Sequence, residues 1–218
     1  MAQPTTSDRH GAGTMLVSAV GEDICLGFAN TLAWRGREAP VEALADFAAL
    51  VTWAQASAAL PAPTARQLGS WAREHPLKAA KVFAEAIILR EAIYRISSAL
   101  ASGEPVGEED FGTLSHALLD TPVRRRLARS GAGYAWQIAL GKIGRAGLPA
   151  ATLLAPVLWS AADLMVGSRQ RNIRQCANDA CLWLFVDASK NGTRRWCDMA
   201  SCGNRAKAHR HYLKMKRG

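Results

Sequence analysis

"CANDACLWLFVDASKNGTRRWCDMASCGNR", residues 176–205, holds four of the chain's five cysteines in two pairs of spacing C-x4-C with fifteen residues between them. Zinc takes four soft or borderline ligands in a tetrahedron, and two close pairs joined by a short excursion let one ion tie two turns together. Cys176, Cys181, Cys197 and Cys202 are therefore the candidate ligands of one Zn2+. The excursion reads as a hairpin: a β-branched and aromatic run, an Asn191-Gly192 turn, and a second short run ending at Cys197. A helix is expected from Gly203 or Asn204, which places Cys202 at a helix N-terminus, where thiolate is favoured over thiol. Four thiolates fill the tetrahedron, so the metal reads as structural rather than catalytic. An iron–sulfur cluster also takes four cysteines, although its usual spacings differ.

Charge points to the same region. From Ser168 to Gly218 there are twelve Lys and Arg against three Asp, an excess of nine that equals the net charge of the whole 218-residue chain. Such asymmetry is expected of a segment that meets a polyanion. Four thiolates and one Zn2+ together carry −2, which lowers the excess to about +7. A unit of about 40 residues has little core of its own, and structural zinc supplies on the order of 10 kcal/mol toward folding such a unit.

The preceding residues, neutral overall, read as mainly α. Residues 1–20 are rich in polar residues and helix breakers and are expected to be loose. A helix is predicted over 41–60, with Val41, Leu44, Phe47 or Ala48, Val51 and Ala54 on its stripe and Pro61 and Pro63 ending it. The strongest pattern runs from Pro76 to Gly103, a shorter helix covers Glu108 to Leu119, and an apolar one runs from Pro149 to about Val166. Residues 124–147 fit either a strand pair or an irregular segment. The expected division is a loose terminus over 1–20, a helical domain over 21–167, and a zinc module over 168–218.

No leader pattern and no long apolar run are evident, so the chain reads as cytoplasmic, with reduced thiols and no membrane span. No Walker A loop, HExxH or G-x-S-x-G motif is present, and the chain is not expected to be an enzyme.

The segment "RRWCDMASCGNRAKAHRHY", 194–212, resembles the CGNR zinc finger, named for the run that is here Cys202, Gly203, Asn204 and Arg205. "EDICLGFANTLAWRG", 22–36, is similar to the ABATE domain that accompanies this finger and is described as a stress-induced transcription regulator. The resemblance implies a bacterial protein, the four cysteines as zinc ligands, a treble-clef or zinc-ribbon-like module of knuckle, β-hairpin and C-terminal helix, and nucleic acid, DNA or RNA, as partner.

The residues themselves support that partner. At 100° per residue, Lys207, Arg210, Lys214 and Arg217 share an arc of about 80° on the final helix, while Ala208, Tyr212 and Met215 face the other way, positioned to dock on the hairpin. Arg194, Arg195 and Arg205 extend the basic surface. A zinc-stabilised protein-interaction module is the competing reading. In the helical domain, Asn30, Thr31, Trp34 and Arg35 stand in an apolar segment; they could line a pocket for a small-molecule effector, or Asn30 could satisfy a buried backbone group. That domain either senses such a ligand or forms a homodimer. Cys25 reads as a core residue, and Arg124, Arg125, Arg126 and Arg129 as a solvated helix end or a second phosphate contact.

Overall fold

The computed structural model describes residues 14–17, 21, 23–131, 133–139, 143 and 147–216, with backbone alone at 139, 209–211, 213 and 214. The polypeptide is mainly helical, and its centre is the long helix α4, Pro76–Ser102. Pro76 occupies its first turn, where a missing N–H costs nothing, and Gly103 ends it at φ 76°, the left-handed conformation that glycine adopts without strain. Val82, Ala86, Leu89, Ile93 and Ile96 form the buried stripe expected from the sequence.

On α4 pack α1 (Ile24–Ala29), α2 (Phe47–Ala56), α3 (Ala62–Glu74), α5 (Glu108–Leu119) and α6 (Ala150–Leu153), while α7 (Ala155–Val166) packs on α1, α5 and α6. Two predicted helices differ from their expected extents. The helix predicted from Val41 begins at Phe47, because Asp46 caps it by accepting from the Ala49 N–H at 2.8 Å, while Val41–Glu42 pair instead with Leu32–Ala33 as strands β3 and β2. The same helix ends at Ala56, before the expected prolines, where Ala58 turns to φ 57°; Pro61 and Pro63 launch α3 instead. The apolar helix from Pro149 is divided at Leu154, since Pro156 in the first turn of α7 has no N–H to continue the ladder. Its all-round apolar surface is buried, as expected, from Ala155 to Ala161.

Residues 124–147 contain the strand pair: β4 (Arg126–Ser130) and β5 (Gly133–Ala139) are antiparallel. The terminus expected to be loose contributes a strand as well. β1, Thr14–Val17, adds to the free edge of β5, giving the order β1-β5-β4, and its Met15 and Val17 point into the core. Alternation at period two explains this: Met15 and Val17 share a face, which a loose-terminus reading overlooks. Among the described residues no helix is long and apolar enough to cross a membrane.

The C-terminal module follows α7 through a 3-10 turn at Ser168–Asn172. It consists of β6 (Ile173–Gln175), β7 (Leu184–Val186), an irregular loop, a π turn at Met199–Gly203, and α8 (Asn204–Met215). Its strands do not hold a separate core. Ile173, Leu184 and Val186 belong to the same buried cluster as Phe28, Leu50, Ile93 and Leu158.

Candidate metal centre and nucleic-acid interface

The first cysteine pair lies in a knuckle between β6 and β7. The Cys176 N–H donates to the Trp183 carbonyl, the last bond of the hairpin, and the Cys181 N–H donates to the Asn178 carbonyl at 2.7 Å. Asn178 shapes the turn further: its Oδ1 accepts from the Ala180 N–H, and its Nδ2 lies 3.5 Å from Cys202 Sγ. The hairpin is thus real, but its strands flank the first cysteine pair. Asn191-Gly192 does form a turn, with Gly192 at φ 60°, yet the chain beyond it returns without pairing as a strand. A single backbone bond, Ala177 N–H to the Arg195 carbonyl at 2.9 Å, closes the loop.

The second pair is set by Asp198, whose carboxylate accepts from the Ser201 N–H at 2.8 Å and starts the π turn that carries Cys202. The four sulfurs lie within 4.8 Å of one another, with Cys181–Cys197 at 3.7 Å and Cys197–Cys202 at 3.8 Å. A regular tetrahedron with Zn–S bonds of about 2.3 Å has edges of about 3.8 Å, so the donor set fits one zinc. As free thiols, Cys181 and Cys197 are unfavourable to ionise. Burial, followed by the neighbouring thiols, pushes Cys181 up to about 11 and Cys197 further. Burial acts on Cys202 in the same direction, but hydrogen bonds from Asn178 and the other thiols outweigh it and bring that thiol below its ordinary value. A bound cation reverses this balance by taking all four as thiolates, a structural role with no open coordination position.

The helical domain builds half of the surroundings. Asn30, at the end of α1, donates from Nδ2 to the Leu184 carbonyl at 2.8 Å and accepts the Leu184 N–H on Oδ1 at 3.0 Å. Its amide therefore acts as one more strand residue beside β7. Tyr94 of α4 donates to the Leu182 carbonyl, and Gln175 donates to both Tyr94 Oη and Ser98 Oγ. Gly36 sits where a Cβ would lie 1.7 Å from the Asp179 carbonyl oxygen, so the knuckle backbone presses directly on it. Trp34, at φ 56°, packs on the cysteine cluster.

At Asn30, Thr31, Trp34 and Arg35, where an effector pocket is one expectation, the polar groups are engaged within the protein. Helix α1 ends at Ala29, so Asn30 and Trp34 do not share a helical face, and both amide atoms of Asn30 are spent on Leu184. Thr31 donates to the Phe28 carbonyl and accepts from buried Arg90. Arg35 makes a two-pronged pair with Glu91, donates to the Ala29 carbonyl, and stacks 3.7 Å from the Tyr94 ring centroid. The backbone-satisfying role of Asn30 is the one observed. Cys25 is a core residue, and burial raises its thiol to about 11.

The expected basic residues divide. Arg194 is exposed but folds back on the loop, donating to the Trp196 and Cys197 carbonyls and stacking on Phe185, so it also braces the metal site. Arg195 lies over Trp196, and Arg205 lies 4.6 Å from the Trp34 ring centroid; both are exposed, as is Lys207. The side chains of Arg210 and Lys214, and all of Arg217, lie outside the described residues. Tyr212 and Met215 do not dock on the hairpin. They are 60% and 73% exposed, because α8 packs chiefly on the π turn that launches it. Arg124 pairs with Asp163, whereas Arg125, Arg126 and Arg129 are exposed on and beside edge strand β4.

Sequence reasoning missed Gly36, Arg37, Tyr94 and Gln175. Only the first carried a local signal, a glycine directly after the Asn-to-Arg segment; Tyr94 and Gln175 face each other across 81 residues.

A mainly helical domain that shares its core with a four-thiolate treble-clef-like finger defines the class: a zinc-binding protein whose metal is structural. The sequence model of the ABATE family, described as "Putative stress-induced transcription regulator", matches residues 22–168, and that of the CGNR zinc finger matches 172–214. The chain belongs to the ABATE family and carries a CGNR zinc finger with one structural Zn2+. No curated protein matches it. Neither family description names an enzyme.

Proposed function

We propose that this chain is a transcription regulator that binds nucleic acid through the zinc module, with the helical domain as its regulatory half. One observation carries the reading: the chain's entire cationic excess lies in residues 168–218, which lead into, form and follow the metal site, and Arg195, Arg205 and Lys207 are exposed there with no carboxylate partner among the described residues. Several such cations on one rigid unit give phosphate affinity that falls steeply with salt. Fluorescence anisotropy of the zinc-loaded chain with labelled duplex DNA and single-stranded RNA across a salt series tests it. Binding with a steep slope supports the proposal; no binding at low salt ends it.

A second reading, an interaction module for a protein partner, is favoured by the exposure of Tyr212 and Met215 on α8. A hydrophobic interface of that kind barely responds to salt, which separates the two readings.

A further inference from the structure

Trp34 is held on the cysteine cluster, and two guanidinium groups converge on its ring. Arg37 comes from the helical domain and lies 3.9 Å from the ring centroid; Arg205, the last residue of the CGNR run, lies 4.6 Å from it. Local geometry brings Arg37 there: Trp34 adopts φ 56°, and the Arg37 N–H donates back to the Trp34 carbonyl at 3.0 Å, closing a tight turn. Arg205 is brought by the π turn that carries Cys202 and opens α8.

The charges are unbalanced. Among the described residues neither arginine has a carboxylate within ion-pair distance, whereas Arg35, only two residues from Arg37, is paired with Glu91. At 3.9 and 4.6 Å from one centroid, the two guanidinium carbons are at most 3.9 plus 4.6, or 8.5 Å, apart. That is near the Debye length of about 8 Å at physiological salt, so the like charges feel each other. Stacking on the indole offsets part of that repulsion and holds both planes in place, so less conformational freedom remains to be lost when an anion arrives.

We propose that Arg37 and Arg205 form a phosphate clamp at the seam between the two parts of the chain, taking one phosphodiester or two successive ones of a nucleic-acid strand. This rests on the nucleic-acid reading above and adds a residue outside the finger to the binding surface. Trp34 is the positioning residue, seated by the folded metal site and presenting both cations together.

The test uses the zinc-loaded full chain and compares wild type, Arg37→Ala, Arg205→Ala and the double variant by anisotropy with labelled duplex DNA and single-stranded RNA. Arg37 is exposed, so its removal is expected to leave zinc content and thermal midpoint unchanged. Arg37→Ala is expected to weaken binding at least about fivefold and to reduce the slope of log K against log salt by about one. The double variant should lose less than the product of the single losses, because the two cations serve one site. Wild-type binding with Arg37→Ala unchanged in affinity and slope overturns the clamp alone. Failure of wild type to bind either nucleic acid overturns the nucleic-acid reading and the clamp with it.

Discussion

Asn30 and Leu184, 154 residues apart, exchange a pair of hydrogen bonds at 2.8 and 3.0 Å, and through them the first helix of the domain supplies the missing edge of the zinc module's hairpin. Both residues are buried. Truncating Asn30 leaves a backbone N–H and a carbonyl without partners, at about 1–3 kcal/mol each. Asn30→Ala is expected to lower unfolding free energy by about 3 kcal/mol in urea titrations and to speed zinc loss to a chromogenic chelator. Unchanged chelator kinetics would show that the pair does not support the metal site.

Gly36→Ala tests the contact between the domain and the knuckle. Its Cβ would sit 1.7 Å from the Asp179 carbonyl oxygen, a backbone atom that can yield only if the turn between Cys176 and Cys181 shifts. The variant is expected to bind zinc at 1:1 and to release it severalfold faster than wild type, with a thermal midpoint lower by several degrees.

The metal should stabilise more than the tail. Ile173, Leu184 and Val186 lie in the core shared with α1, α4 and α7, so removing zinc, or making Cys197→Ser, should lower the unfolding midpoint followed by the helical circular dichroism of the whole chain. An unchanged helical transition would show the module to be independent of that core.

Glu91 gives a pH prediction. Burial works to raise its carboxyl, but the hydrogen bond and charge of Arg35 and the charge of Arg90 hold it below the ordinary carboxylate value. A group depressed in the folded state contributes stability that is fully present above its unfolded value, about 4.3, and that is lost as pH falls through the folded value. Glu91→Gln should therefore be less stable than wild type by about 2 kcal/mol at pH 7, and the gap should narrow as pH falls below about 4.3 and close only once pH lies under the depressed folded value. A gap that persists in acid would assign the loss to packing.

What the sequence made legible follows from locality. The four cysteines, Asn204 at the start of α8, the stripe of α4 and the cap at Gly103 are all set by residues within a few turns of one another, and spacing alone finds them. The backbone role of Asn30 could not be chosen over a pocket because its partner is a strand 154 residues away, which no periodicity announces. The docking of Tyr212 and Met215 failed for the opposite reason. Helical phase places them on one face, but phase does not say whether anything lies opposite, and among the described residues α8 packs chiefly on the π turn at its start. Arg194 and Arg195 are adjacent, equally charged and both exposed; only the carbonyls of Trp196 and Cys197, presented by the loop, make the first a brace as well.

The bond between Asn30 and β7 also orders events in time. As the chain is synthesised, α1 and α4 emerge well before Ile173, Leu184 and Val186, and until those residues arrive the helical core has an open side. Contacts of such long sequence separation close late and slowly. The nascent protein must therefore keep its half-built domain soluble until the finger emerges, so the later-made module finishes the earlier one.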